Sequence, residues 1–213
     1  MASVIVRGTA AATVSPDRAE LDLELSHVAA DAATALADVN QRSHQLVEML
    51  ATHGIERNDW ATEGVHVGEE HEWKNNRHVL VGYRASTAVS ITIRDLDKVG
   101  VLINEGVTLT KASVRNLSFR VDRENPAHTR LMAAAARDAK ARAFAYTDAL
   151  GMRLGEVELI SESAISAGPE PMPRFAMAVQ ADGLEMSSAP PMAVSGGLIE
   201  LTASVHVRFS VLS

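Results

Sequence analysis

The sequence predicts an α+β fold, a mostly antiparallel sheet with two long helices packed on it. Three observations carry that reading. Apolar and polar residues alternate with period two in several stretches, two other stretches carry apolar residues at spacings of three and four, and Gly, Pro, Asp and Asn stand where those patterns start and stop.

In chain order, Ser3–Thr13 is a first strand of weak alternation. Leu21, Leu23 and Leu25 alternate with Asp22, Glu24 and Ser26, one buried face against one wet face. Asp31 is placed to cap a helix with Ala32, Leu36, Val39, Ser43, Leu46 and Leu50 on one side, and Gly54 stops it. Trp60–Glu69 is a weak strand; Thr87, Val89, Ile91 and Ile93 mark a strong one, and a short helix follows over Asp95–Asn104. Arg115–Val121 is a weak strand. Asn125 with Pro126 opens the second long helix, its stripe running Leu131, Ala135, Ala139, Ala143, Tyr146 and Leu150, and Gly151 ends it. Alanine on that stripe lets the helix axis lie close to a sheet. Glu156–Ser161 is a further strand, and Leu201, Ala203, Val205, Val207, Phe209 and Val211 form the inner row of the last.

This order reads as strand–helix–strand–strand, twice, within a single domain over residues 1–213. Leu21–His27, the first helix, Trp60–Glu69 and Thr87–Arg94 make one half. Arg115–Val121, the second helix, Glu156–Ser161 and Leu201–Val211 make the other. Between Glu162 and Gly197 the pattern breaks. Residues 163–197 hold five of the seven prolines and four of the eight methionines, which predicts a flexible insertion. Adaptable Met172, Phe175, Met177, Met186 and Met192 make it a candidate interaction surface.

Composition excludes several classes. With 20 Lys and Arg against 27 Asp and Glu, the net charge of −7 argues against a nucleic-acid footprint, and aromatic residues at 4% leave few rings for stacking. The absence of cysteine excludes disulfides, thiolate nucleophiles and iron–sulfur clusters. No run is long and apolar enough for a membrane helix. The apolar run Val4–Val6 closes at Arg7, too short for a secretory signal, so the chain reads as cytoplasmic.

Several segments resemble the SIMPL domain family, also called domain of unknown function 541. They are Val4-Ile5-Val6-Arg7-Gly8-Thr9, Pro16-Asp17, Gly54-Ile55 with Asp59-Trp60 and Thr62, and Gly82-Tyr83-Arg84-Ala85-Ser86. Asp95-Leu96-Asp97-Lys98-Val99-Gly100, Asn116-Leu117-Ser118-Phe119, Ala139-Lys140-Ala141-Arg142-Ala143 and Gly197–Val205 follow in family order. The resemblance implies an α+β fold, bacterial members that are often periplasmic or membrane-associated, ring-like or channel-like homo-oligomers, and members described as oxidative-stress defence factors. It carries over no catalytic residue.

Chemistry-bearing clusters are few. His66, His71 and His78 lie near Glu69, Glu70 and Glu72, a donor set suited to zinc or nickel. Yet His66 and His71 are an odd number apart, which places them on opposite faces of a regular strand, and Lys74-Asn75-Asn76-Arg77 reads as a hairpin turn. Ser195-Gly196-Gly197 lacks the flanking pattern of a nucleophile elbow, and no phosphate-cradling glycine run is present. Arg137, Lys140 and Arg142, with Asp138, mark a solvated helix side. The expectation is a non-enzymatic protein without a cofactor, acting by homo-oligomeric assembly and protein binding. The alternatives are a metal binder or metal-dependent enzyme using His66, His71 and His78, and an adaptor docking a client through residues 163–197.

Overall fold

The computed structural model describes residues 2–74, 76–162 and 194–212. Its elements are β1 (Ser3–Val14), β2 (Arg18–Ala29), α1 (Ala32–Thr52), β3 (Trp60–Lys74), β4 (Arg77–Ile93), α2 (Val99–Thr110), β5 (Ser113–Arg120), α3 (Pro126–Ala149), β6 (Arg153–Ser161) and β7 (Ile199–Leu212). Every strand pair is antiparallel, in a four-stranded sheet of order β3-β4-β2-β5 and a three-stranded sheet of order β1-β7-β6. The α+β class is therefore as the alternation predicts. The chain divides into two compact units, one around each sheet.

The larger unit holds β2, α1, β3, β4, α2 and β5. The alternation in β2 has its expected effect: Leu21, Leu23 and Leu25 are fully buried beneath α1 and α2, with Leu46, Leu50, Ile91, Ile93 and Leu102. Burying each such side chain contributes about 1.5–3 kcal/mol relative to leaving it in water. Asp31 caps α1 by accepting from the Thr34 backbone N–H (2.9 Å) and hydroxyl (2.8 Å). Those bonds to the charged form hold the Asp31 carboxyl below its ordinary value. The short helix expected over Asp95–Asn104 starts later: a 3-10 turn spans Leu96–Lys98, and α2 runs on to Thr110. Its continuation is fixed by burial of Val99, Leu102, Ile103 and Gly106.

The smaller unit holds β1, α3, β6 and β7. Asn125 accepts from Ala127 N–H at 2.9 Å and Pro126 occupies the first turn, as the sequence predicts. Gly54 and Gly151, read as helix stops, both adopt positive φ (76° and 68°) just past α1 and α3. The face of α3 toward the sheet is Ala127, Leu131, Ala135, Ala139, Ala143 and Thr147. Tyr146 and Leu150, assigned to that stripe from spacing, are exposed instead. The buried row keeps a strict spacing of four, and Thr147 continues it because its hydroxyl donates to Ala143 O (3.1 Å) and Phe144 O (3.0 Å). Gly8 on β1 completes the close approach: a Cβ there would stand 2.0 Å from Ala135 O and 2.7 Å from Ala139 Cβ.

The strand–helix–strand–strand halves are present, but the second is composed differently. β2-α1-β3-β4 has spatial order β3-β4-β2, and β1-α3-β6-β7 has the same order, β6-β7-β1. The segment Arg115–Val121, read as opening the second half, is β5 and pairs with β2 from Arg18↔Arg120 to Glu24↔Ser113. Its place is taken by β1, which pairs with β7 through twelve successive positions, Ser3↔Ser210 to Val14↔Ile199. Nearness in sequence suggested β5; the cross-strand pairing decides for β1.

Candidate functional site

The three candidate histidines lie on the β3–β4 hairpin. Its register runs from Trp60↔Ile91 to Lys74↔Arg77, with shifts between Thr62 and Val65 and between Glu70 and His71. β2 accompanies β4 only to Ala29↔Tyr83, so the hairpin from Glu70 to Gly82 extends past the end of β2. There Trp73 is 62% exposed, and Leu80 and Val81 are exposed as well. The hairpin reverses where predicted, with Lys74 paired to Arg77 and Asn76 in the left-handed region (φ 62°).

The hairpin brings His71 and His78 together and leaves His66 apart. The His71 and His78 rings are 6.5 Å apart edge to face, and Trp73 meets His78 at 4.7 Å. Glu69 lies 3.6 Å from His71 Nε2. At the second register shift the unpaired residue is Val81 on β4, so β3 keeps its alternation and His66 and His71 face opposite ways. Glu69 and Glu70 are likewise splayed. Arg84 donates to both oxygens of Glu70, at 2.8 and 2.7 Å, and this bonding holds the Glu70 carboxyl below its ordinary value. Among the described residues, no group of three or more His, Cys, Asp or Glu side chains is placed to hold a metal ion.

His66 instead lines a cleft of about 310 Å³ on the polar side of the larger sheet, with Glu24, Glu63, Ser86, Thr87 and Arg115. The first register shift shapes it: Gly64 sits at φ 133°, and the Thr87 hydroxyl donates to its carbonyl at 2.7 Å. Arg115 stands 3.7 Å from both Glu24 and Glu63 and so offsets their charge. Ser86 lies across the strand pair from His66. The arrangement is a small polar cleft in which one arginine faces two carboxylates.

Other sequence candidates fall elsewhere. Asp138, read as part of a solvated helix side, reaches β1 and accepts from Thr9 N–H at 2.8 Å and from Arg142 Nε at 2.8 Å. The Thr9 bond is the main reason its carboxyl sits below its ordinary value. His206 and Arg208, which alternate with the inner row of β7, are half-buried, and His206 Nδ1 and Arg208 Nε find no hydrogen-bond partner among the described residues. Ser195-Gly196-Gly197 forms no elbow: Gly196 rests on Phe119 and Pro16, and Val194 packs on the larger core. Met172, Phe175, Met177, Met186 and Met192 lie outside the described residues. Gly8 and Asp138 are the contacts that single-residue reading passed over; the signal for Gly8 was its place opposite an alanine-faced helix.

No described helix is long and apolar enough to cross a membrane. The profile of the SIMPL family, described as "Protein of unknown function (DUF541)", matches residues 4–209. Over 173 residues the chain is 28% identical to an "Uncharacterized protein YggE" of Edwardsiella ictaluri, covering 81% of this chain and 72% of that protein. It is 26% identical over 185 residues to the protein of the same name from Escherichia coli K12, covering 87% and 74%. It is 29% identical over 177 residues to a "26 kDa periplasmic immunogenic protein" of Brucella melitensis, covering 81% and 70%.

Proposed function

Since the chain belongs to the SIMPL (DUF541) family, whose description assigns no activity, we propose that it works without catalysis, by assembling into a homo-oligomer and binding other proteins. One observation supports this above the rest. Among the described residues, all four edge strands carry exposed large apolar residues: Ile5 on β1, Val65 and Val67 on β3, Val114 on β5, and Val157, Leu159 and Ile160 on β6. An open sheet edge with apolar side chains is a template for pairing with another chain. The hairpin end, with Trp73 and Leu80 exposed, adds an aromatic anchor of the kind that dominates protein contacts.

The rival reading, a metal site, is favoured by the approach of His71 and His78. Light scattering on the protein with His66, His71 and His78 all replaced by alanine separates the two. Assembly through sheet edges leaves the molar mass of the multimer unchanged. A variant that falls to monomer, or that loses a bound metal carried by the parent protein, overturns the proposal in favour of the metal site.

A further inference from the structure

We propose that the face of the smaller sheet turned away from α3 binds a phosphate monoester of a small polyol, its phosphate at Arg208 and His206 and its hydroxylated body in the cleft beside them. Val205, Val207 and Phe209 of β7 are buried against α3, so the residues alternating with them, Thr202, Ser204, His206 and Arg208, stand on the opposite face. Arg208 and His206 are half-buried, and among the described residues neither side chain has a hydrogen bond or an ion pair. For Arg208 the register gives the reason. Ile5 on β1 and Leu159 on β6 stand either side of it, and their side chains offer no acceptor. A half-buried arginine without a partner is an uncompensated charge, and arginine leaves water chiefly in pairs. An anion supplies the acceptor it lacks.

The same face continues into a place for the rest of the ligand. Arg7 stands opposite His206, Thr9 opposite Ser204 and Ala11 opposite Thr202. Arg7, Thr9, Ala11, Thr202 and Ser204 line a cleft of about 470 Å³, a size that holds a small molecule. Its three hydroxyls each donate and accept, which suits a polyol. Arg208 lies two residues beyond His206, roughly 7 Å along the strand and within reach of its long side chain. A guanidinium forks onto two phosphate oxygens, and the imidazole adds a further donor. Charge agrees. The chain has a net charge of −7, yet β1 carries no carboxylate, and Glu200 on β7 stands opposite Thr13, six positions from His206. Glu156 and Glu158 on β6 make no ion pair with Arg208 or His206 among the described residues. Asp138, which reaches β1 from α3, is held by Thr9 N–H and Arg142. Two arginines and an imidazole favour a phosphate monoester, which carries more than one negative charge, over a carboxylate.

Isothermal titration calorimetry of the full chain tests this with glucose 6-phosphate as the probe, and with inorganic phosphate, glucuronate and glucose beside it. The expected result is saturable binding of glucose 6-phosphate, several-fold weaker binding of inorganic phosphate and of glucuronate, and none of glucose. Arg208→Gln lowers the affinity for glucose 6-phosphate roughly tenfold and His206→Gln several-fold. Arg137→Gln, which removes the same charge from an exposed position on α3, leaves it unchanged. Thr202→Val, also at an exposed position, weakens glucose 6-phosphate several-fold and leaves inorganic phosphate as it was, which keeps a readout should Arg208→Gln fail to fold. No binding of glucose 6-phosphate at millimolar concentration, equal binding by Arg208→Gln, or equal loss in Arg137→Gln overturns the site. Glucuronate binding as tightly as glucose 6-phosphate overturns the phosphate. Inorganic phosphate binding as tightly, or Thr202→Val without effect, overturns the polyol body.

Discussion

The two strand–helix–strand–strand units share a topology and differ in how their layers are held apart. In the larger unit the space between helix and sheet is filled by long side chains, Leu21, Leu23 and Leu25 from β2 against Leu46 and Leu50 from α1. In the smaller one it is nearly closed. Ala135, Ala139 and Ala143 bring the α3 backbone down onto Gly8, and the larger residues Val6, Val205, Val207 and Phe209 fill in around that contact. One topology thus tolerates two packing solutions, and each is vulnerable to the opposite kind of change.

Removing volume is predicted to hurt the larger unit most. Leu23→Ala, at a fully buried position, is expected to cost about 2–5 kcal/mol. Hydrogen exchange read by mass spectrometry on the peptides of each unit checks it: protection falls over residues 15–122 and holds over β1, α3 and β7. Equal loss in both units contradicts separate cores.

Adding volume is predicted to hurt the smaller unit. Gly8→Val sets a side chain where even a Cβ would meet Ala135 O at 2.0 Å. Overpacking of this kind costs about 1–3 kcal/mol. A urea titration followed by the same exchange measurement tests the reversal, with loss now confined to β1 and α3. A variant as stable as the parent would mean that α3 simply rides outward.

The smallest effect concerns charge. Thr9 and Arg142 hold the Asp138 carboxyl below its ordinary value in the folded state. The stabilisation is therefore complete above the unfolded carboxyl value, about 3.9, and is lost as pH falls through the lower folded value. Asp138→Asn removes that acid-side slope while leaving an acceptor for the Thr9 N–H. Melting curves of parent and variant between neutral pH and about pH 3 should converge at the acid end; parallel curves would show that Asp138 contributes nothing.

Much of this was legible in residues taken one at a time. The alternation of Leu21, Leu23 and Leu25, the caps at Asp31 and Asn125 with Pro126, and the stops at Gly54 and Gly151 are local signals, and each stands where its chemistry places it. What escaped is what depends on a distant partner. β5 and β1 have similar weak alternation, and only pairing with β2 or β7 tells which sheet each joins. Tyr146 and Thr147 are neighbours on one helix turn, and the row of four through Ala143 selects the threonine. Asp138 looks like its charged neighbours until the Thr9 N–H is brought beneath it. The histidines were the reverse case: counting residues between His66 and His71 sufficed to separate them, because the extra residue of that register shift lies on β4.

The central claim is that this protein works by assembly, and native mass spectrometry of the untagged chain before and after a chelator addresses it most directly. The account predicts a discrete multimer of the 22.7 kDa chain whose mass the chelator leaves unchanged. A monomer carrying a stoichiometric metal ion would contradict it and turn attention to His71 and His78.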